Sequence, residues 1–126
     1  MTFPENLKYT KDHEWIRLEG DTGIIGITDY AQGELGDVVF VELPKEGKKV
    51  KQSESFGTIE AVKAVSDIFA PISGEVIEVN LDLEKAPELV NKEPYGKGWM
   101  LKLRISDKTE LNNLLDVKAY RDLVGK

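Results

Sequence analysis

Between Trp15 and Ile105 the chain is cut every few residues by glycine, proline or an acidic turn, and the pieces between the cuts are rich in valine, isoleucine and phenylalanine. Pieces this short, bounded by residues that tolerate turn angles, favour strands over long helices. "WIRL" (15–18) and "GIIGIT" (23–28) flank the turn "EGDTG", and "DVVFVEL" ends at Pro44. "FGTIEAV", "AVSDIFA", "GEVIEVN" (74–80) and "GWMLKLRI" (98–105) complete the set, with a looser stretch through Pro87 and Pro94 before the last of them. Thr28 is placed to cap a short helix over "DYAQGEL", which Gly36 would stop.

From Asp107 the pattern changes. "DKTE" sets Glu110 three residues after a capping carboxylate, and Leu111, Leu114, Leu115, Val117, Tyr120, Leu123 and Val124 recur at helical spacing. This predicts a C-terminal helical segment over about 107–124, packed on the sheet for stability. A weak internal echo links "VFVELPKEGKKV" with "VIEVNLDLEKAPELV": each runs strand, proline-bearing connection and valine, and a glycine turn and another strand follow. The echo predicts two similar half-sheets in a quasi-symmetric sandwich or flattened barrel, with Lys63 between the halves. The fold class is thus mainly β, with a short internal helix and a helical tail, and 126 residues make one domain with a real core.

Chemistry is constrained mostly by what is missing. There is no cysteine, and His13 is the single histidine. Disulfides, cysteine nucleophiles and Cys/His zinc sites are excluded, and no Gly-x-Ser-x-Gly elbow accompanies His13. If this chain takes part in a reaction, the reactive group is expected to be borrowed. Seventeen basic residues against 23 acidic give a net charge of −6. That balance opposes nucleic-acid binding and suits partners with basic docking faces. The one lysine-rich run, "PKEGKKVK" (44–51), reads as a solvated turn. No run reaches the roughly 18–20 apolar residues of a membrane span, and the N-terminus has neither a secretory core nor a transit-peptide composition. A cytosolic or a processed organellar protein is expected.

"EAVKAVSD" (60–67) reads two ways. Ala61, Val62, Val65, Ile68 and Phe69 share one side of a helical wheel, and no Asn-Gly or Asp-Gly marks a turn at Lys63. Yet Gly57 before it and "APISG" after it leave only about a dozen residues for a helix. "TIEAV" and "AVSDIF" would equally make two strands meeting at Lys63, with its amine standing clear of the body.

"HEW" (13–15), "GITDYAQGELGDVVFVELP" (26–44), "EAVKAVSDIFAPISGEVIEVN" (60–80) and "PYGKGWMLKL" (94–103) come in the order found in one family. Over roughly Leu7 to Val124 the chain resembles the H-protein of the glycine cleavage system, with Ala61 where that family commonly has serine. The resemblance implies a flattened β-sandwich/barrel hybrid of the lipoyl/biotinyl-domain type, with Lys63 at a hairpin tip. It also implies a carrier, not an enzyme, bearing lipoate joined to Lys63 by an amide. The disulfide of the lipoyl ring would supply the sulfur and redox chemistry that the chain lacks. An arm of about ten bonds extends on the order of a dozen ångströms, enough to enter another protein's active site.

The implied partners are a pyridoxal-phosphate glycine decarboxylase (P-protein), a tetrahydrofolate-dependent aminomethyltransferase (T-protein), dihydrolipoamide dehydrogenase (L-protein) and the lipoylating enzymes. The carrier would shuttle the aminomethyl group of glycine between the first two and the dithiol to the third. By resemblance, Glu14 and Asp67 line the cleft that receives the loaded arm, Glu60 is read by the lipoylating enzyme, and no metal is involved. Trp15 and Trp99 are expected in the core, Tyr95 in a turn, and His13 as an anchor of the N-terminal segment. A monomer in the bacterial cytoplasm, or in the mitochondrial matrix, is the natural setting for such a shuttle. The alternative is an H-like protein that relays lipoyl groups or regulates without taking part in glycine cleavage. A biotin carrier fits less well, because Val62 and Ala64 flank Lys63 where methionines would be expected.

Overall fold

The computed structural model describes residues 1–126. In chain order the elements are β1 (Lys8–Tyr9), β2 (Glu14–Glu19), β3 (Thr22–Ile27), α1 (Asp29–Leu35), β4 (Val38–Glu42), β5 (Lys49–Val50), β6 (Ser55–Ala61), β7 (Val65–Phe69), β8 (Gly74–Val79), α2 (Asp82–Lys85), α3 (Leu89–Lys92), β9 (Leu101–Ile105), a 3-10 turn (Lys108–Asn113) and α4 (Val117–Val124). They form two antiparallel sheets, one of six strands in the order β1-β2-β3-β9-β8-β5 and one of three in the order β4-β6-β7. The result is an open sandwich. The sequence echo corresponds to two like antiparallel pairs, β4 with β6 in one sheet and β8 with β9 in the other, but the sheets that hold them are unequal, three strands against six, and β5 crosses over to pair with β8.

"GIIGI" is apolar throughout because its sheet is buried on both faces. Ile16, Ile25 and Ile27 point between the sheets into the main core, with Ile59, Ile68 and Leu103. Trp15 and Ile24 point the other way, into a second cluster with Phe3, Leu7, Tyr9 and Tyr120 that α4 and the N-terminal segment cover. Gly26 pairs with Trp15 across β2–β3, and a Cβ there would lie 2.7 Å from the indole ring. The glycine is what lets that ring lie flat on the strand.

The expected helix over "DYAQGEL" is present, with Thr28 as N-cap and Gly36 ending it at φ 81°. Other expectations need correction. The loose stretch before β9 holds two single-turn helices, α2 and α3, pinned by buried Leu83 and Val90. The last strand starts at Leu101 rather than Gly98, and Trp99 is only half-buried, with the Lys102 ammonium 5.3 Å from its ring. The C-terminal segment is not one helix. Leu115 exchanges backbone hydrogen bonds with Tyr9 (2.7 and 2.8 Å), which interrupts the stripe, and Asp116 then caps α4 through Ala119 N. Glu110 does not close a capping box; its carboxylate accepts from Ser73 N and Ser73 Oγ.

Candidate functional site

Lys63 lies at the tip of the β6–β7 hairpin, which settles the two local readings of its segment. Glu60 pairs with Val65, and Ala61 N donates to the Ala64 carbonyl at 2.7 Å, so Val62 and Lys63 form the turn. Neither residue has positive φ, so the turn needs no glycine or asparagine, and the missing signal has a physical cause. The helical stripe fails because Ala61 and Ile68 are buried while Val62 and Val65 are 77% and 67% exposed. β4 supports β6 on its other side, so the hairpin is the middle and edge of a sheet rather than a free ribbon.

The Lys63 side chain is exposed but does not stand clear of the body. It lies back over Gly36, where an added Cβ would sit 3.3 Å from Lys63 Cε. The tip is also tied at Val62, whose N–H donates to the Asp37 carbonyl at 3.0 Å.

Glu14 opens β2 and is only 2% exposed. Its carboxyl accepts from Thr10 Oγ1 (2.6 Å) and from Phe69 N (3.2 Å), while Glu14 N donates to Thr10 Oγ1 (3.0 Å). The Phe69 amide belongs to the free edge of β7, so Glu14 joins the edge of the small sheet to the large one. Burial pushes the Glu14 carboxyl up to about 8, against the opposing pull of the Thr10 and Phe69 hydrogen bonds. The carboxyl lines a cleft of about 350 Å³ with Thr10, Asp12, Ser53, Phe69 and Leu114.

Asp67 is not brought into that cleft. It is exposed on β7, between the lysine tip and the Phe69 amide, and accepts from Ser55 Oγ at 3.2 Å. Glu60 is exposed on the face of the small sheet, flanked across the strands by Phe40 and Val65. His13, at φ 73°, has Nδ1 2.9 Å from the Tyr120 hydroxyl, and burial lowers its pKa. It ties the start of β2 to α4. Tyr95 is more than a turn aromatic: its hydroxyl accepts from Asp29 N and donates to the Thr2 carbonyl. Sequence reasoning did not find Thr10 or the Gly36–Asp37 loop as neighbours of the site. Thr10 lies four residues before Glu14, but only the folded turn reveals their bond.

A family model described as "Glycine cleavage H-protein" matches residues 7–126. The glycine cleavage system H protein of Bacteroides fragilis is 56% identical over 125 residues, covering 99% of each chain. That of Symbiobacterium thermophilum is 61% identical over 117 residues, covering 93% of this chain and 91% of the other. A crystal structure of a glycine cleavage system H protein from Mycobacterium marinum superposes with a TM-score of 0.88 at 37% identity, over 98% of this chain and 100% of that one. With a match of that extent in sequence and in fold, this chain belongs to the glycine cleavage H-protein family.

Proposed function

We propose that the chain is the lipoyl carrier of the glycine cleavage system and that Lys63 is the residue acylated. One observation supports this most: Lys63 is exposed at the tip of a sheet-supported hairpin, where an enzyme can enclose the amine without unfolding anything. Family membership favours this role over relay or regulation alone. When attached, lipoate supplies the sulfur and redox chemistry that a chain without cysteine lacks. Acylation also removes the side chain's positive charge and leaves an arm whose base rests on Gly36.

Glu14 is the chain's means of holding cargo. A cationic amine carried into the cleft would meet a carboxyl already positioned by Thr10 and Phe69. Such a cation favours the ionised form, so its arrival expels the proton that burial otherwise retains. Asp67 lies on the path from the tip and serves as an outer, solvated partner. Glu60, exposed beside the tip, is read by the lipoylating enzyme. Partners are the decarboxylase, the aminomethyltransferase and dihydrolipoamide dehydrogenase. The relatives named above are bacterial and no helix of this chain is long and apolar enough to cross a membrane, which supports action in the bacterial cytoplasm.

Intact-mass measurement of chain produced in a lipoate-replete host tests the assignment. The expected result is a gain of one lipoyl group that is absent from Lys63→Arg. An unmodified wild-type chain, or a modified Lys63→Arg, overturns it. Glycine–bicarbonate exchange with purified decarboxylase then tests the pathway.

A further inference from the structure

For residues 62–64 at the hairpin tip, the Asp37 carbonyl is the one backbone hydrogen-bond partner outside the hairpin. The position of Asp37 is set in turn by a side chain far along the sequence. Asn91, in α3, donates from Nδ2 to the Gly36 carbonyl (2.8 Å) and to Gln32 Oε1 (3.0 Å), and its Oδ1 accepts from Val38 N (2.9 Å). Asn91 thus grips the backbone immediately before and immediately after Asp37. Gly36 has φ 81° and Lys63 packs over it, so the same loop fixes both the tip backbone and the base of the arm.

The chemistry demands an amide at this position. Two donors and one acceptor are needed on one short side chain; aspartate lacks the donors and leucine lacks both functions. Gln32 is oriented by its own bond to Asp29 Oδ1 (2.7 Å), so α1 and α3 hold the clamp together.

We propose that Asn91 is a positioning residue for Lys63: by clamping Gly36 and Val38 it fixes the Asp37 carbonyl from which the Val62 amide hangs, and so holds the lysine where an acylating enzyme finds it. This rests on Lys63 being the attachment site. Freed from the clamp, the tip samples several positions, and the enzyme binds only the competent fraction. KM therefore rises, while kcat, set once the lysine is enclosed, stays the same.

The test uses full-length apo-protein, a lipoate ligase, lipoic acid and ATP, together with amide hydrogen exchange. In Asn91→Ala, Val62 N–H should exchange at least about tenfold faster relative to Ile59 N–H in the adjoining strand β6, because local opening is reported separately from global unfolding. KM for acylation should rise about three- to tenfold, with kcat within twofold. Gln32→Ala, which removes only one of the three bonds, should shift both readouts in the same direction by less. It also serves as the test if Asn91→Ala does not fold. Unchanged Val62 exchange and unchanged KM in a folded variant overturn the proposal. Failure of the Lys63 assignment looks different: wild-type protein would remain unacylated, whatever the exchange rates.

Discussion

Glu14 is the only acidic or basic residue among the fully buried ones, and its carboxyl has two hydrogen-bond donors and no cation beside it. Burial costs the ionised form more than these two bonds return, so the group holds its proton up to about pH 8. The consequence for stability has a definite sign. Unfolded, the same carboxyl ionises near its ordinary value of 4.5. Between those two values the folded chain binds a proton that the unfolded chain does not, so the stability contributed by Glu14 is complete below pH 4.5 and is lost as pH climbs to about 8. The loss is on the order of a few kcal/mol. Glu14→Gln is expected to remove that slope: urea unfolding at pH 5 and pH 8 should show a fall for wild type and a much smaller one for the variant. Equal slopes would mean that the carboxyl is ionised as folded. The short motif "HEW" announces none of this, because Glu14 is enclosed by the turn at Thr10, by Phe69 of β7 and by Leu114 just past the 3-10 turn, two of them far along the sequence.

Thr28 shows how the elements are tied to one another. Its hydroxyl caps α1 by accepting from Ala31 N (3.1 Å) and also lies 2.7 Å from the Tyr120 hydroxyl in α4. The Tyr120 ring is stacked on Tyr9 at 4.6 Å, so one threonine links the internal helix to the C-terminal one across β1. The cap was legible from sequence because it depends on neighbours three residues away. The link to Tyr120 was not, being 92 residues distant. The same distinction separates the strands that could be read from those that could not. β2, β3, β4 and β8 carry enough alternation or β-branching to stand out, whereas β1 and β5 are two residues each and exist only because a neighbouring strand offers its edge. Thr28→Val keeps the shape and removes both bonds, leaving Ala31 N without its cap and the Tyr120 hydroxyl with His13 Nδ1 as its remaining partner. A loss of about 2–3 kcal/mol in denaturant unfolding is expected, with an unchanged m-value. A loss below about 0.5 kcal/mol would show that water replaces the threonine at both ends.

At the scale of the molecule, the sandwich sets the one amine of interest at an end that is otherwise acidic and partly apolar. Glu34, Asp37, Glu60 and Asp67 are all exposed on the helix, loop and strands that surround or carry Lys63, and Val39, Phe40, Val62 and Val65 are each at least half exposed in the same region. Half of the exposed large hydrophobics lie on this hairpin and its neighbouring strand, so the tip is where the surface is least like that of a protein meant to be left alone. The sequence indicated the overall charge of −6 but not its placement, which depends on β4 lying beside β6. Acylation of Lys63, as proposed, would remove its charge and leave these acids without their central cation. A partner that encloses the tip is therefore expected to surround it with lysine and arginine. Exposed pairs of that kind are screened by salt, with a Debye length of about 10 Å at 0.1 M falling to about 3 Å at 1 M. KM for acylation of Lys63 should rise about tenfold between 50 and 500 mM salt, with little change in kcat, because steering affects encounter more than the enclosed complex. Glu60→Lys should raise KM at low salt and flatten that dependence. A KM indifferent to salt in both proteins would leave apolar contact, through Phe40, Val62 and Val65, as the basis of docking.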